Sequence, residues 1–392
     1  MRKLTIAGIA LVAAAVVWGA CAYWNVGGQR KLFVAEGELF LNDYFMPWKC
    51  AHEGFRQSAP DIEYESPDGR TLRMGSVDRC YPAFALLPYL ALPYSLGAAV
   101  AFSAVCAGLF LLSLVIVGRG SAGFLALAGS MPFIFTVERG NPVFISAACV
   151  GLFLAWWDSE SRRRRIVAAL CLAVATVMKI SPVLLGLLYL FPREKRTPRD
   201  WTSVFIAAST VVVLFLVPWM AMPGGFSAIP EFVENAHAHS DYIRQFADFG
   251  FISAWRALRL ALGLDVHAPW AGMTSVAVLS QIAGVVSVCL GAWKRNHVLL
   301  VGGLLMAAGN MYYYGALYLV PVFVLRVMQG RLDWIEWILW TMILCPLQIV
   351  VIGFSANDVL CNFAVLALMG LSVLELVLGR PVFALSERRE VR

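Results

Sequence analysis

Leu41-Asn42-Asp43-Tyr44-Phe45 stands inside a polar, acid-rich stretch, Glu36 to Tyr81, that follows at once on the first of many apolar runs. Reading that stretch as a long loop between membrane spans decides the fold, because almost everything around it is apolar. Of the 392 residues, 60% are hydrophobic and only 14% charged, and the mean hydropathy is +0.73. Soluble domains carry nearer a quarter charged residues. Runs of about 17–25 apolar residues cross a hydrocarbon core roughly 30 Å thick as helices. The alternating pattern of outer-membrane strands is absent, so the expectation is an all-α polytopic membrane protein.

Outward from this stretch, Leu4–Tyr23 reads as an uncleaved first span, since its apolar run exceeds the usual signal-peptide core and further spans follow. On the other side, Tyr81–Leu96 carries Pro82, Pro88 and Pro93 and reads as an interfacial or re-entrant piece leading into the span Gly97–Gly118. Ser121–Val137, Leu332–Gly353 and Val359–Gly379 are expected to be continuous spans. Placing the basic clusters Arg162–Arg165, Arg193–Arg199, Lys294-Arg295 and Arg380–Arg392 inside gives about twelve spans with both termini cytoplasmic. The chain is then one domain, 1–392, with a first outer loop at 24–96 and a second at 223–270. The formal charge of +6 sits in the inner loops, with no basic stripe of stacking aromatics, which excludes a nucleic-acid partner.

Several spans are short: Val143–Trp157, Ile166–Met178, Val183–Phe191, His297–Gly309 and Gly315–Leu325. Alone they do not cross a bilayer. Their polar junctions (Arg139 to Asn141, Lys179 to Pro182, Asn310 to Tyr314) must therefore lie below the outer surface. Irregular backbone at that depth is tolerated only where it is buried in protein or lines a wet cavity. An outward-opening cavity roofed by the two long loops is expected.

Asp43, with Tyr44 and Trp48 beside it, is either a solvated loop aspartate or a carboxylate partly shielded from water, the kind that serves as a general base near neutral pH. Asp61, Glu63, Glu65, Asp68 and Asp78 read as a solvated face. Arg139 and Lys179 are cations at membrane depth, which costs a few kcal/mol and marks a functional hypothesis. Both suit a phosphate whose lipid tail lies in the bilayer. The competing readings pair Arg139 with Glu138 and let Lys179 snorkel to the interface. His237 and His239, near Asp241, are compatible with a divalent cation or with loop histidines that touch substrate. Tyr313 and Tyr314 are either sugar-stacking aromatics or part of an interfacial belt. Of nine cysteines, Cys50 and Cys80 alone lie in the polar stretch, and a disulfide and two free thiols are equally open. No nucleotide-binding, zinc-protease or nucleophile-elbow motif is present, so no cofactor is expected and a donor should arrive in the membrane.

The order of features resembles glycosyltransferase family 87, the polyprenyl-phosphate-mannose-dependent enzymes of the GT-C superfamily. The residues that carry the resemblance are Asp43 with Ala51; Tyr81-Pro82-Ala83-Phe84 through Leu92-Pro93; Gly140-Asn141; Ala175 to Pro182; and Tyr313-Tyr314 with Pro321. Two departures are visible. Arg139-Gly140-Asn141-Pro142 stands where the family usually has G-Q-x-N, and Met46-Pro47 follow the acid where a tyrosine is frequent. The resemblance implies a GT-C-like bundle that transfers a hexose, mannose first, from a polyprenyl-phosphate sugar to a lipid or glycan acceptor. Transfer would be inverting, on the periplasmic face of a bacterial inner membrane, among membrane lipids. It implies Asp43 as base, Arg139, Lys179 and Arg244 around the donor phosphate, and Tyr44, Trp48, Asn141, His237, His239, Tyr313 and Tyr314 around substrate. A transporter or flippase of lipid-linked glycans is the alternative; it should show broken helices in two pseudo-symmetric halves, whereas the breaks read here cluster on one side.

Overall fold

A computed structural model describes residues 41–54, 62–67, 69–75, 79–191, 201–244, 249–264, 273–308, 313–330, 332–344, 350–351 and 354–379. The expected first span, the basic cluster 193–199, the Asn310–Tyr312 junction, the basic tail, and the side chains of Asp61, Asp68, Asp78, Asp241, Arg244 and Tyr313 lie outside the described residues.

The polar stretch is not a loop. Its described part begins with helix α1 (Asn42–Glu53), which carries Asp43 in its first turn and Pro47 inside. A hairpin follows, β1 (Ile62–Glu65) against β2 (Thr71–Met74), with Tyr64 opposite Leu72. Its period of two buries Tyr64 and Leu72 and leaves Glu63 and Glu65 exposed, as a one-sided strand pair must. The proline-rich piece is a short helix, α2 (Ala83–Ala91), and α3 (Leu96–Val117) begins where the Ser95 hydroxyl accepts from the Ala98 N–H at 3.2 Å.

The expected third span is broken. A 3-10 segment, Ala122–Gly129, gives way at extended Ser130 to α4 (Met131–Arg139), whose first turn takes Pro132, a residue that starts helices readily and cannot continue one. Then come α5 (Val143–Trp156), α6 (Arg162–Met178), a 3-10 stretch Ser181–Leu190 and α7 (Trp201–Leu216). The second loop folds as α8 (Ile229–Arg244) and α9 (Phe251–Ala261). The chain continues with α10 (Met273–Lys294), α11 (His297–Ala308), a 3-10 turn Tyr313–Tyr318, α12 (Leu319–Gln329), α13 (Trp334–Leu344) and α14 (Ala356–Leu378). Within the expected eleventh span the described residues form α13 up to Leu344 and a short strand at Val350–Val351, paired with Phe354–Ser355.

Four described segments are long and apolar enough to cross a membrane: Leu96–Val117, Trp201–Ala221, Thr274–Lys294 and Cys361–Leu378. The protein is an all-α membrane protein. Shorter apolar helices, among them Val143–Trp156, Ser181–Leu190 and His297–Ala308, fill the bundle between them. The 3-10 form rises about 2.0 Å per residue against 1.5 Å for an α-helix, so Ser181–Leu190 covers more depth than its length suggests.

Two apolar cores result. The larger lies in the bundle, around Phe110, Phe144, Phe153, Leu299, Val301 and Trp340. The smaller forms a cap in which α1, α2 and the hairpin close over Tyr44, Phe45, Tyr89, Trp219 and Phe232. Within the bundle, α10 and α11 touch backbone to backbone: a Cβ on Gly284 would stand 2.4 Å from the Ala307 nitrogen, so only glycine permits the approach. That contact seats the end of α11 at the junction of cap and bundle.

Candidate active site

The site is assembled where the start of α1 meets the end of α4. Leu41 adopts the left-handed conformation (φ 56°) and its N–H donates to the Glu138 carbonyl at 2.7 Å. Gly140 ends α4 at φ 67°, in a Schellman arrangement: the Asn141 N–H reaches the Thr136 carbonyl at 3.2 Å and the Gly140 N–H that of Val137 at 3.0 Å. A Cβ on Gly140 would stand 3.1 Å from the Leu41 Cδ2 and 3.2 Å from the Ser103 Oγ. Glycine is therefore favoured by both dihedral and contact.

This turn delivers two side chains to Asp43. The Arg139 guanidinium grips the carboxylate as a fork, Nε to Oδ2 at 2.8 Å and Nη2 to Oδ1 at 2.7 Å. Asn141 donates through Nδ2 to Oδ2 at 2.6 Å, while its Oδ1 accepts from the Val143 N–H at 2.9 Å and so caps the start of α5. The cap fixes the amide's orientation, since a flipped amide would set oxygen against carboxylate. A carboxylate has about four acceptor positions. Among the described residues two on Oδ2 and one on Oδ1 are taken, which leaves one on Oδ1.

The carboxylate faces a cavity of about 600 Å³, within the usual range of small-molecule sites. One wall is the cap, with Asp43, Met46, Cys80 and Tyr81; α8 adds Ala236, His237, His239 and Ser240. The other is the bundle, with Arg139, Asn141, Met178 to Ser181, Val183, Leu184, Ala307, Ala308 and Tyr314. Lys179 ends α6 in extended backbone and places its Nζ 5.3 Å from the centre of the Tyr314 ring. Among the described residues it forms no ion pair. The Ser181 Oγ is shielded from solvent and has no hydrogen-bond partner there. Burial in the wall, and then the Asp43 charge, push the Tyr81 phenol well above its ordinary pKa, so it keeps its proton.

A family model decides what this cavity belongs to: that of glycosyltransferase family 87 matches residues 80–311, more than half of the chain. The chain belongs to glycosyltransferase family 87. It is a glycosyltransferase. The matched stretch of this family 87 enzyme takes in Tyr81, Arg139, Asn141, Lys179, His237 and His239; Asp43 and Tyr314 fall outside it. No curated protein and no solved structure matches the chain.

In the family 87 enzyme, the residues nominated from sequence divide. Asp43, Arg139, Asn141, Lys179, His237, His239 and Tyr314 converge on the cavity. Tyr44 and Trp48 do not line it. Tyr44 is fully buried in the cap, its hydroxyl on the Pro93 carbonyl at 3.0 Å, and Trp48 donates to the Leu92 carbonyl at 2.7 Å and stacks on His52. Arg139 pairs with Asp43, the partner neither sequence reading had given it. Among the described residues no group of three His, Cys, Asp or Glu side chains is placed to hold a metal ion. Cys50 and Cys80 are not joined in a disulfide, and the Cys50 thiol donates to the Met74 sulfur at 3.6 Å. Met46, Cys80, Tyr81 and Ser181 were not nominated. Two carried a signal: Met46 is three residues after Asp43, one helical turn on, and Ser181 is in the same membrane-depth junction as Lys179.

Proposed function

We propose that this glycosyltransferase moves a hexose, mannose in the first instance, from a polyprenyl-phosphate sugar to a lipid or glycan acceptor, with inversion, using Asp43 as general base. The observation that carries the reading is the Asp43 carboxylate in the wall of a cavity that also holds Lys179, with one acceptor position on Oδ1 left among the described residues. The acceptor oxygen attacks the anomeric carbon from the face opposite the phosphate. Its proton passes to Oδ1. The C–O bond to phosphate breaks, polyprenyl phosphate leaves with the bonding pair, and the Lys179 ammonium meets its charge without giving up a carboxylate of its own. Arg139 and Asn141 hold the base through the step.

Two further observations support a lipid-borne donor and its side of entry. Ile180 and Val183 line the cavity and are 56% and 50% exposed, apolar surface suited to a prenyl chain. Helix α6 runs from Arg162 to Met178, about 25 Å at 1.5 Å per residue, so the cavity lies at the end far from the arginine cluster. With that cluster cytoplasmic, as in the arrangement of about twelve spans, the cavity opens on the outer face, periplasmic in a bacterial inner membrane.

The test uses membranes containing the protein, labelled polyprenyl-phosphate-mannose and a lipid-glycan acceptor extract, with Asp43→Asn alongside. Transfer by the native chain and not by the variant is expected. Equal transfer by both would acquit Asp43, and no transfer from any of a panel of polyprenyl-phosphate sugars would overturn the donor class. A cytoplasmic signal from a reporter fused at Ala236 would reverse the orientation.

A further inference from the structure

One hydroxyl in the cavity has capacity that the reaction as derived leaves unused. Tyr81 precedes α2 directly, and Pro82 at its N-cap fixes how the phenol leaves the backbone. The Tyr81 hydroxyl points along the cap wall to the Met46 sulfur at 3.8 Å. A thioether is a weak acceptor, and a phenol that ends on one forgoes most of what its O–H can contribute. Met46 lies one turn along α1 from Asp43, so the phenol shares a wall with the base, while Lys179 and Ser181 stand on the bundle wall.

We infer that Tyr81 is a substrate-binding residue whose hydroxyl donates to a carbohydrate hydroxyl neighbouring the one that Asp43 deprotonates. Sugars present hydroxyls on adjacent carbons. With the reacting hydroxyl on the Asp43 Oδ1, the next lies along the same wall, where the donor on offer is this phenol. An anionic group is better served opposite, at Lys179. Because the phenol keeps its proton beside the Asp43 charge, it enters as a neutral donor and does not compete for the transferred proton. The carbohydrate is either the acceptor saccharide or the hexose of the donor; both offer the same chemistry.

The inference rests on the transfer reaction proposed above, but the two fail separately. Asp43→Asn tests the base through kcat, whereas Tyr81→Phe tests the phenol through KM with the base intact. Tyr81→Phe should raise KM for one substrate by about tenfold, the worth of one hydrogen bond, with kcat nearly native and the melting temperature in detergent unchanged. The substrate whose KM moves, acceptor or donor, identifies the source of the hydroxyl. Deoxy analogues of that substrate then complete a cycle. In the native enzyme one deoxy position should cost about tenfold, and in Tyr81→Phe that same position should cost nothing further. KM values unchanged for both substrates, or additive losses at every deoxy position, would overturn the inference. Should Tyr81→Phe not fold, 3,5-difluorotyrosine at position 81 keeps the ring in place and alters the acidity of the O–H. It must then shift KM for one substrate, and an unchanged KM for both would be equally decisive against.

Discussion

Two buried arginine–carboxylate pairs hold this bundle at opposite ends. In Arg139–Asp43 the side chains are 14% and 5% exposed, and in Arg326–Glu336 they are 14% and 4% exposed. By burial and charge the two are the same. They differ in what surrounds them. Glu336 is three residues from Asp333, and the two form a capping box at the start of α13, the Glu336 N–H on the Asp333 Oδ1 at 2.8 Å and the Asp333 N–H on the Glu336 Oε2 at 3.3 Å. Arg326 adds both Nε and Nη2 to Oε1, from only ten positions away in the chain. Asp43 and Arg139 are 96 positions apart, come from cap and bundle, and both line a cavity. Burial of an ion pair alone is weak evidence of function. Glu336, too, accepts three hydrogen bonds among the described residues and keeps one position, so access to a cavity is what distinguishes the working pair.

The sharpest way to break this contrast is to neutralise each acid. Asp43→Asn should lower kcat by about 10³, the usual worth of a positioned general base, while Glu336→Gln should leave kcat per folded molecule near native. A comparable loss from both would erase the distinction. Next in size are the arginines. Arg326→Met alone strands the buried Glu336 and should cost about 3 kcal/mol of stability, read as thermal unfolding in detergent; adding Glu336→Leu should restore most of it. The matching double replacement, Arg139→Met with Asp43→Leu, should also fold, but without activity. Asn141→Ala removes one hydrogen bond to a charged oxygen and should reduce kcat by about tenfold to a hundredfold with donor KM unchanged. The smallest effect is expected from Gly140→Ala, about 1 kcal/mol of stability, because φ 67° is unfavourable for alanine and the new methyl presses on Leu41.

What the sequence disclosed of this site, it disclosed through depth. Arg139 and Lys179 stood out because cations next to spans too short to cross must be accounted for, and both do line the cavity. The membrane class followed from composition for the same reason. Partner choice was another matter: nothing local to Arg139 names Asp43 over its neighbour Glu138, since a contact spanning 96 positions is a product of packing. The helix at Asn42–Glu53 was concealed by its polar residues and by Pro47, which read as loop signals. That concealment misplaced Tyr44 and Trp48. In a loop they are neighbours of Asp43, but on a helix they turn about 100° and 140° away from it, into the cap, and Met46 takes the cavity face instead. The hairpin was missed because four-residue strands give too few alternations to stand out among acids.

The hydrogen bond from the Leu41 N–H to the Glu138 carbonyl ties the residue that precedes α1 to the last turn of α4, two positions from the base and one from its arginine. An amide so placed cannot exchange its hydrogen for deuterium while the cap is seated. Its exchange rate therefore reports how often the lid over the membrane domain lifts, in the same molecule and without substrate. Solubilising conditions that loosen this one amide while leaving those of Leu299 to Leu305 protected would disable the enzyme with its transmembrane helices still folded. A preparation can then look intact by helicity and be inert, and a single amide distinguishes the two.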